Sequence, residues 1–135
     1  MIKASVAAAM TVVALTAGPA FAGQHYTVVA TDPKSHATIE VPNGDRLVLR
    51  LEDCADCGYT WKVMSKPNAA VIAYSKQLSS QQDPGCSSPC LGGTVHQRFR
   101  FQSKAVGQTT VKLGYFPPGK KKPSKTKLLN LDVTG

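Results

Sequence analysis

Four cysteines, three histidines and eight carboxylates are the side chains of this 135-residue sequence with the chemistry to hold a metal, attack a substrate or relay a proton. The cysteines come as two close pairs, Cys54 with Cys57 and Cys86 with Cys90. Three chemistries use such spacing. Exported proteins with an even cysteine count use it for disulfides. Structural zinc takes the same thiolates, but usually with tighter paired spacings and in a reducing compartment. A redox-active pair normally opens a helix, whose N-terminus lowers the thiol pKa, whereas Gly58-Tyr59-Thr60-Trp61 leads into a strand-like segment. Disulfides are therefore expected, with the three possible pairings open. A bridge between the two pairs, which would pin two loops into one rigid surface, is preferred over two local bridges that stiffen each tip.

The other reactive groups assemble into no recognisable site. His25, His36 and His96 are scattered, and His96, beside Thr94, is expected at a solvent-facing strand position. No Ser or Cys has a nucleophile setting, and the acids form neither a metal loop nor a paired-carboxylate arrangement. The chain is expected to be no enzyme, with no metal and no cofactor.

Before any fold can be read, residues 1–22 are set aside. Lys3, the apolar run Val6 to Ala17 and the small-residue site Ala20-Phe21-Ala22 have the form of a secretory signal peptide. The run is shorter than the roughly 20 apolar residues that span a bilayer, so no membrane span is expected. No cysteine follows the cleavage site to carry a lipid. Release into a periplasm or the extracellular medium follows, with a bacterium favoured and a mature chain from Gly23. Residues 23–135 suit one domain, expected to be a monomer.

Sixteen basic against eight acidic residues give a formal charge of +8. Lys120, Lys121, Lys122 and Lys125 cluster beside Pro117, Pro118 and Pro123, the composition of a solvated loop rather than a helix face. This loop is either a self-repelling soluble turn or a surface that holds an anionic polymer or envelope partner. No aromatic interleaving or nucleic-acid motif accompanies it, so nucleic acid is not expected as a partner.

The elements that must position these groups show a period of two. Leu47, Leu49 and Leu51 alternate with Arg46, Arg50 and Glu52; Phe99 and Phe101 alternate with Arg98, Arg100 and Gln102; Val111, Leu113 and Tyr115 alternate with Lys112 and Gly114. Further short strands are expected at Tyr26 to Ala30, Thr38 to Val41, Tyr59 to Val63, Val71 to Tyr74 and Leu129 to Val133. Pro42-Asn43-Gly44-Asp45 and Val106-Gly107-Gln108 supply turns between them. Seven or eight such strands predict an antiparallel β-sandwich, whose loops gather at its two ends. One long connection, Ser75 to Leu91, carries Cys86 and Cys90 and breaks the rhythm.

With strands and loops placed, Leu51-Glu52-Asp53-Cys54-Ala55-Asp56-Cys57-Gly58-Tyr59-Thr60-Trp61 resembles the first signature loop of the chagasin-like cysteine-protease inhibitors, which reads Asn-Pro-Thr-Thr-Gly-aromatic-X-Trp. Gly92-Gly93-Thr94 resembles the second, a Gly-rich loop before a long strand, and Leu113-Gly114-Tyr115-Phe116-Pro117-Pro118-Gly119 resembles the third, which usually contains Arg-Pro-Trp. The resemblance implies an immunoglobulin-like sandwich that inhibits papain-type proteases reversibly and without a covalent bond. Three loops would form its wedge: Asp56, Cys57, Gly58 and Tyr59; Leu91, Gly92, Gly93 and Thr94; Phe116, Pro117 and Pro118. Two departures stand out. Asp56 puts a carboxylate where the family presents a threonine, and only Pro118 matches in the third loop, which lacks the tryptophan that would anchor an interface. Trp61 is expected beneath the first loop as a structural, core-packing residue.

Overall fold

The alternation of apolar and polar residues is realised as strands throughout the computed structural model, which describes residues 25–54, 57–82 and 94–135. The strands are β1 (Thr27–Thr31), β2 (Thr38–Pro42), β3 (Arg46–Cys54), β4 (Thr60–Ser65), β5 (Ile72–Gln82), β6 (Thr94–Ser103), β7 (Gly107–Phe116) and β8 (Lys125–Thr134). They form two four-stranded sheets, ordered β1-β3-β6-β5 and β2-β8-β7-β4. No helix among the described residues is long and apolar enough to cross a membrane.

Inward-facing residues of both sheets make one core. Leu47, Leu49 and Leu51 of β3, Phe99 and Phe101 of β6, Val111 and Leu113 of β7, and Leu129, Leu131 and Val133 of β8 are all at most 1% exposed. Each such side chain contributes about 1.5–3 kcal/mol by leaving water, so the alternation read from the sequence is the main stabilising pattern of the fold. Trp61 of β4 completes the core at 2% exposure.

The sandwich expected from the sequence is present, and its central pairings are antiparallel. Two outer pairings, β1 with β3 and β2 with β8, are parallel. Their cause lies in the connections: β1, β2, β3, β4 and β5 alternate between the two sheets, and sequence neighbours pair only as β5–β6 and β7–β8. The turns at Gly44 and Val106 accordingly pass from one sheet to the other.

A second difference concerns the long connection. Its first half, through Gln82, is strand: β5 continues along β6 across irregularities at Tyr74/Lys76 and Leu78/Gln81. As an edge strand, β5 is sustained by hydrogen bonds to one neighbour and does not need apolar alternation, which hides it from a periodicity reading. The rest of that connection, with Cys86 and Cys90, lies outside the described residues.

Candidate functional site

Strand register gathers the candidate loops at one end of the sandwich. Cys54, the last residue of β3, is the cross-strand partner of Thr94, the first of β6. Thr60, opening β4, is opposite Phe116, closing β7, and Tyr115 is opposite Lys125 at the start of β8. The strand ends that flank residues 55–59, 83–93 and 117–124 therefore lie at the same edge of the two sheets.

The first loop is closed by a disulfide between Cys54 and Cys57, with a Cα–Cα distance of 5.4 Å. This local bridge overturns the preferred pairing between loops. The two cysteines of the first pair lie within reach of each other at a strand end that turns immediately, so the shortest closure is made there. Gly58 follows with φ of 76°, and a Cβ built on it would stand 3.2 Å from Pro118 Cγ. Any side chain at Gly58 meets both backbone strain and the third loop. Gly58 and Pro118, picked out separately in the sequence, are neighbours.

Beneath that contact lies a stack of rings. Tyr59 lies on Tyr115 with centroids 4.9 Å apart, and Tyr115 lies on Trp61 at 4.8 Å. Lys125 Nζ sits 5.0 Å from the Tyr115 centroid and 5.7 Å from that of Trp61, and Lys127 Nζ 5.8 Å from Trp61. Along β8 these lysines share parity with the buried Leu129 and Leu131, so they cap the core where the sandwich opens. Lys127 also donates to the Pro33 carbonyl at 2.7 Å, and burial lowers its pKa.

A buried polar chain ties the stack to both sheets. Asp53 of β3 is 7% exposed; its Oδ1 accepts from the Tyr115 hydroxyl at 2.5 Å and from the Cys54 amide at 2.8 Å. Asp53 Oδ2 accepts from Gln97 Nε2 at 2.8 Å, while Gln97 Oε1 accepts from the Trp61 amide at 2.8 Å. Trp61 Nε1 donates to the Glu52 carbonyl at 3.0 Å. Burial and the bond to Asp53 push the Tyr115 hydroxyl pKa up to about 12. In a low-dielectric interior a fully satisfied chain of this kind holds its members in one arrangement. Asp53 and Gln97 were not singled out in the sequence, although each shares inward parity with the apolar residues beside it, Leu47 to Leu51 and Phe99 with Phe101.

The other candidates divide. Cys57 and Pro118 are exposed, and Tyr59, Thr94 and Pro117 half-buried. Phe116 is only 9% exposed and carries Lys62 Nζ 5.1 Å from its ring centre, so it supports the third loop from below. Lys120, Lys121 and Lys122 project from the exposed turn closed by Lys120 N on the Pro117 carbonyl at 3.2 Å, whereas Lys125 is engaged with the rings. Asp56, Leu91, Gly92, Gly93, Cys86 and Cys90 lie outside the described residues. His96 is not solvent-facing: it is 8% exposed, with Nε2 2.8 Å from Asp32 Oδ2, because the segment after β1 folds over it. Among the described residues no group of three or more His, Cys, Asp or Glu could hold a metal.

Among its described residues this end offers a narrow edge of backbone and proline over a base of packed rings. The sequence model of a family described as Chagasin family peptidase inhibitor I42 matches residues 40–133. No curated protein matches significantly. Among solved structures, the cysteine protease inhibitor EhICP2 from Entamoeba histolytica is 21% identical with a TM-score of 0.63, over 82% of this chain and 97% of its own. Amebosin is 21% identical with a TM-score of 0.55, over 83% of this chain and 100% of its own. PbICP-C, solved in complex with falcipain-2, is 18% identical with a TM-score of 0.51, over 83% of this chain and 100% of its own. At these identities the likeness is one of fold.

Proposed function

This chain belongs to the chagasin family of peptidase inhibitors rather than to a family of enzymes, and from that membership we propose that it is a reversible, non-covalent inhibitor of a papain-type cysteine protease, exported by residues 1–22 to the periplasm or medium and acting as a monomer. Its wedge consists of Asp56 to Tyr59, Leu91 to Thr94 and Pro117 with Pro118, the last pair carried on the buried Phe116, entering the active-site cleft together.

The observation that carries this reading is the contact of Gly58 with Pro118 above the Tyr59–Tyr115–Trp61 stack. An inhibitor of this kind needs no nucleophile. It needs an edge that reaches the protease's catalytic groups without offering a bond to cleave, and whose ordering was completed on folding. Affinity then comes from preorganisation. The Cys54–Cys57 bridge and the positive φ at Gly58 restrict the first loop, Pro117 and Pro118 restrict the third, and the ring stack holds both at one height. A small residue at Gly58 also lets backbone approach the protease closely. With no tryptophan in the third loop, Tyr59 is the aromatic nearest the tip and serves as the interface anchor.

Titration of the oxidised form beginning at Gly23 against papain tests the proposal. Stoichiometric loss of protease activity is expected, relieved by Gly58→Trp or Gly92→Trp. Full protease activity at large molar excess of the inhibitor would overturn it.

A further inference from the structure

The outer face of the β1-β3-β6-β5 sheet collects positive charge. Arg46 and Arg50 of β3, Arg98 and Arg100 of β6 and Lys76 of β5 all hold outward-parity positions. Arg50 is directly opposite Arg98, and Arg100 is directly opposite Lys76. Like charges facing each other across a strand pair oppose folding. Glu52 shares this face at the loop end of β3, beside Asp32, which pairs with His96; among the described residues no carboxylate forms an ion pair with any of the five cations. The other sheet differs, since its outer face carries Glu40 and Asp132 in register along with Lys62 and Lys112.

Two of these arginines are held in place by neutral groups. Arg50 Nε donates to Gln81 Oε1 at 3.1 Å and its NH1 to Thr31 Oγ1 at 2.9 Å. Arg98 Nε donates to the Ser79 carbonyl at 3.0 Å and its NH2 to Ser79 Oγ at 3.3 Å. These bonds leave guanidinium donors free for a ligand while fixing the group's direction. Arg46 and Lys76 are exposed, and Arg100 half-buried.

From this juxtaposition we propose that the outer face of β3, β6 and β5 is a binding surface for a polyanionic polysaccharide, one bearing sulfate or phosphate groups. Four of the five cations are arginines, whose planar forks match such tetrahedral anions in a bidentate way. Rows about 5 Å apart between strands and about 7 Å apart along them suit a chain of repeated charges laid across the sheet. No aromatic side chain faces outward among these residues to stack bases, as single-stranded nucleic-acid binders require. The Cys54–Cys57 disulfide fits an oxidising compartment outside the cytosol, away from the bulk of cellular nucleic acid. The basic loop at Lys120 to Lys122, singled out from sequence, is not the surface assigned here.

Heparin is the probe, with affinity measured against salt concentration for the full oxidised protein. Wild type binds, and Arg98→Gln/Arg100→Gln lowers the slope of log affinity against log salt by about two, one per cation removed. Arg46→Gln/Lys76→Gln, which touches none of the hydrogen-bonded arginines, gives the same loss. Unfolding midpoints stay equal to or above wild type, because repulsion is relieved, and papain inhibition is unchanged. That last readout separates this surface from the protease wedge. No heparin binding at low salt, loss of binding on Lys120→Gln/Lys121→Gln/Lys122→Gln instead of on the sheet variants, or equal affinity for anionic phospholipid vesicles or duplex DNA would each overturn the proposal.

Discussion

The two ends of this sandwich close in opposite ways. At the end away from the candidate wedge, short turns are sealed onto backbone: the Tyr26 amide donates to Asp45 Oδ1 at 3.0 Å, the Gly44 amide to Ser103 Oγ at 2.8 Å, and Ser103 Oγ to the Asp45 carbonyl at 2.7 Å. At the wedge end buried bonds also run between side chains, from Tyr115 and Gln97 to Asp53. One end uses polar groups to pull its turns in. The other uses them to brace the base from which its loops leave the strands. A loop that must enter a cleft gains from the second arrangement, because rigidity comes from below and leaves the tip free for a partner.

The largest way to break this contrast is Asp53→Ala. It strands the Tyr115 hydroxyl, the Cys54 amide and the Gln97 carboxamide in a buried place, and an unsatisfied buried group costs about 1–3 kcal/mol. A loss of about 3 kcal/mol is expected in urea unfolding, together with loss of protease inhibition. Stability within about 0.5 kcal/mol of wild type would mean the chain is not a brace. Next comes Cys54→Ser/Cys57→Ser. For so short a loop the chain-entropy model gives about 2 kcal/mol, and inhibition is expected to weaken further than stability does if the bridge lies in the proposed wedge. Equal proportional losses would place the bridge's value in the fold alone.

The same contrast explains what was legible in the sequence. Rows such as Leu47-Leu49-Leu51 and Phe99-Phe101 announce buried faces, and the core they imply is present. Asp53 and Gln97 continue those rows with polar residues, so their inward position could be read from parity alone. What they bond to could not, because Asp53 is bridged to Tyr115 across 62 positions of chain. The disulfide partner of Cys54 was misjudged for the reverse reason: a strand end that turns at once brings Cys57 close, and spacing alone cannot distinguish that turn from a longer excursion. The parallel pairings of β1 and β2 were equally hidden, because alternation fixes which face is buried but not which neighbour runs alongside.

At the sealed end, Ser103→Ala sharpens the comparison. It removes the acceptor for Gly44 and the donor to Asp45, but Ser103 N still reaches the Asp45 carbonyl at 3.1 Å, so about 1 kcal/mol is expected. Inhibition should be untouched. A weaker inhibition constant from this substitution would show that the two ends are coupled and that the division drawn between them is wrong.

The smallest effect is a pH dependence confined to the brace. Burial and the bond to Asp53 raise the Tyr115 pKa from 10.0 to about 12 in the folded protein. The folded state thus prefers the protonated hydroxyl more strongly than the unfolded chain does. For a group raised on folding, the contribution to stability is fully present below the unfolded pKa and is lost as pH rises through the folded one. The window is therefore pH 10 to about 12. Lysines also discharge there, but they do so in wild type and in Tyr115→Phe alike, so the difference between the two isolates the tyrosine. Urea midpoints at pH 8 and pH 11 should show the wild-type advantage over Tyr115→Phe shrinking at the higher pH. Because ring stacking with Tyr59 and Trp61 survives the substitution, the starting difference reports the hydroxyl alone. Parallel behaviour of the two proteins across the window would mean that the hydroxyl is not held by Asp53, and the wedge would then stand on its rings and its disulfide only.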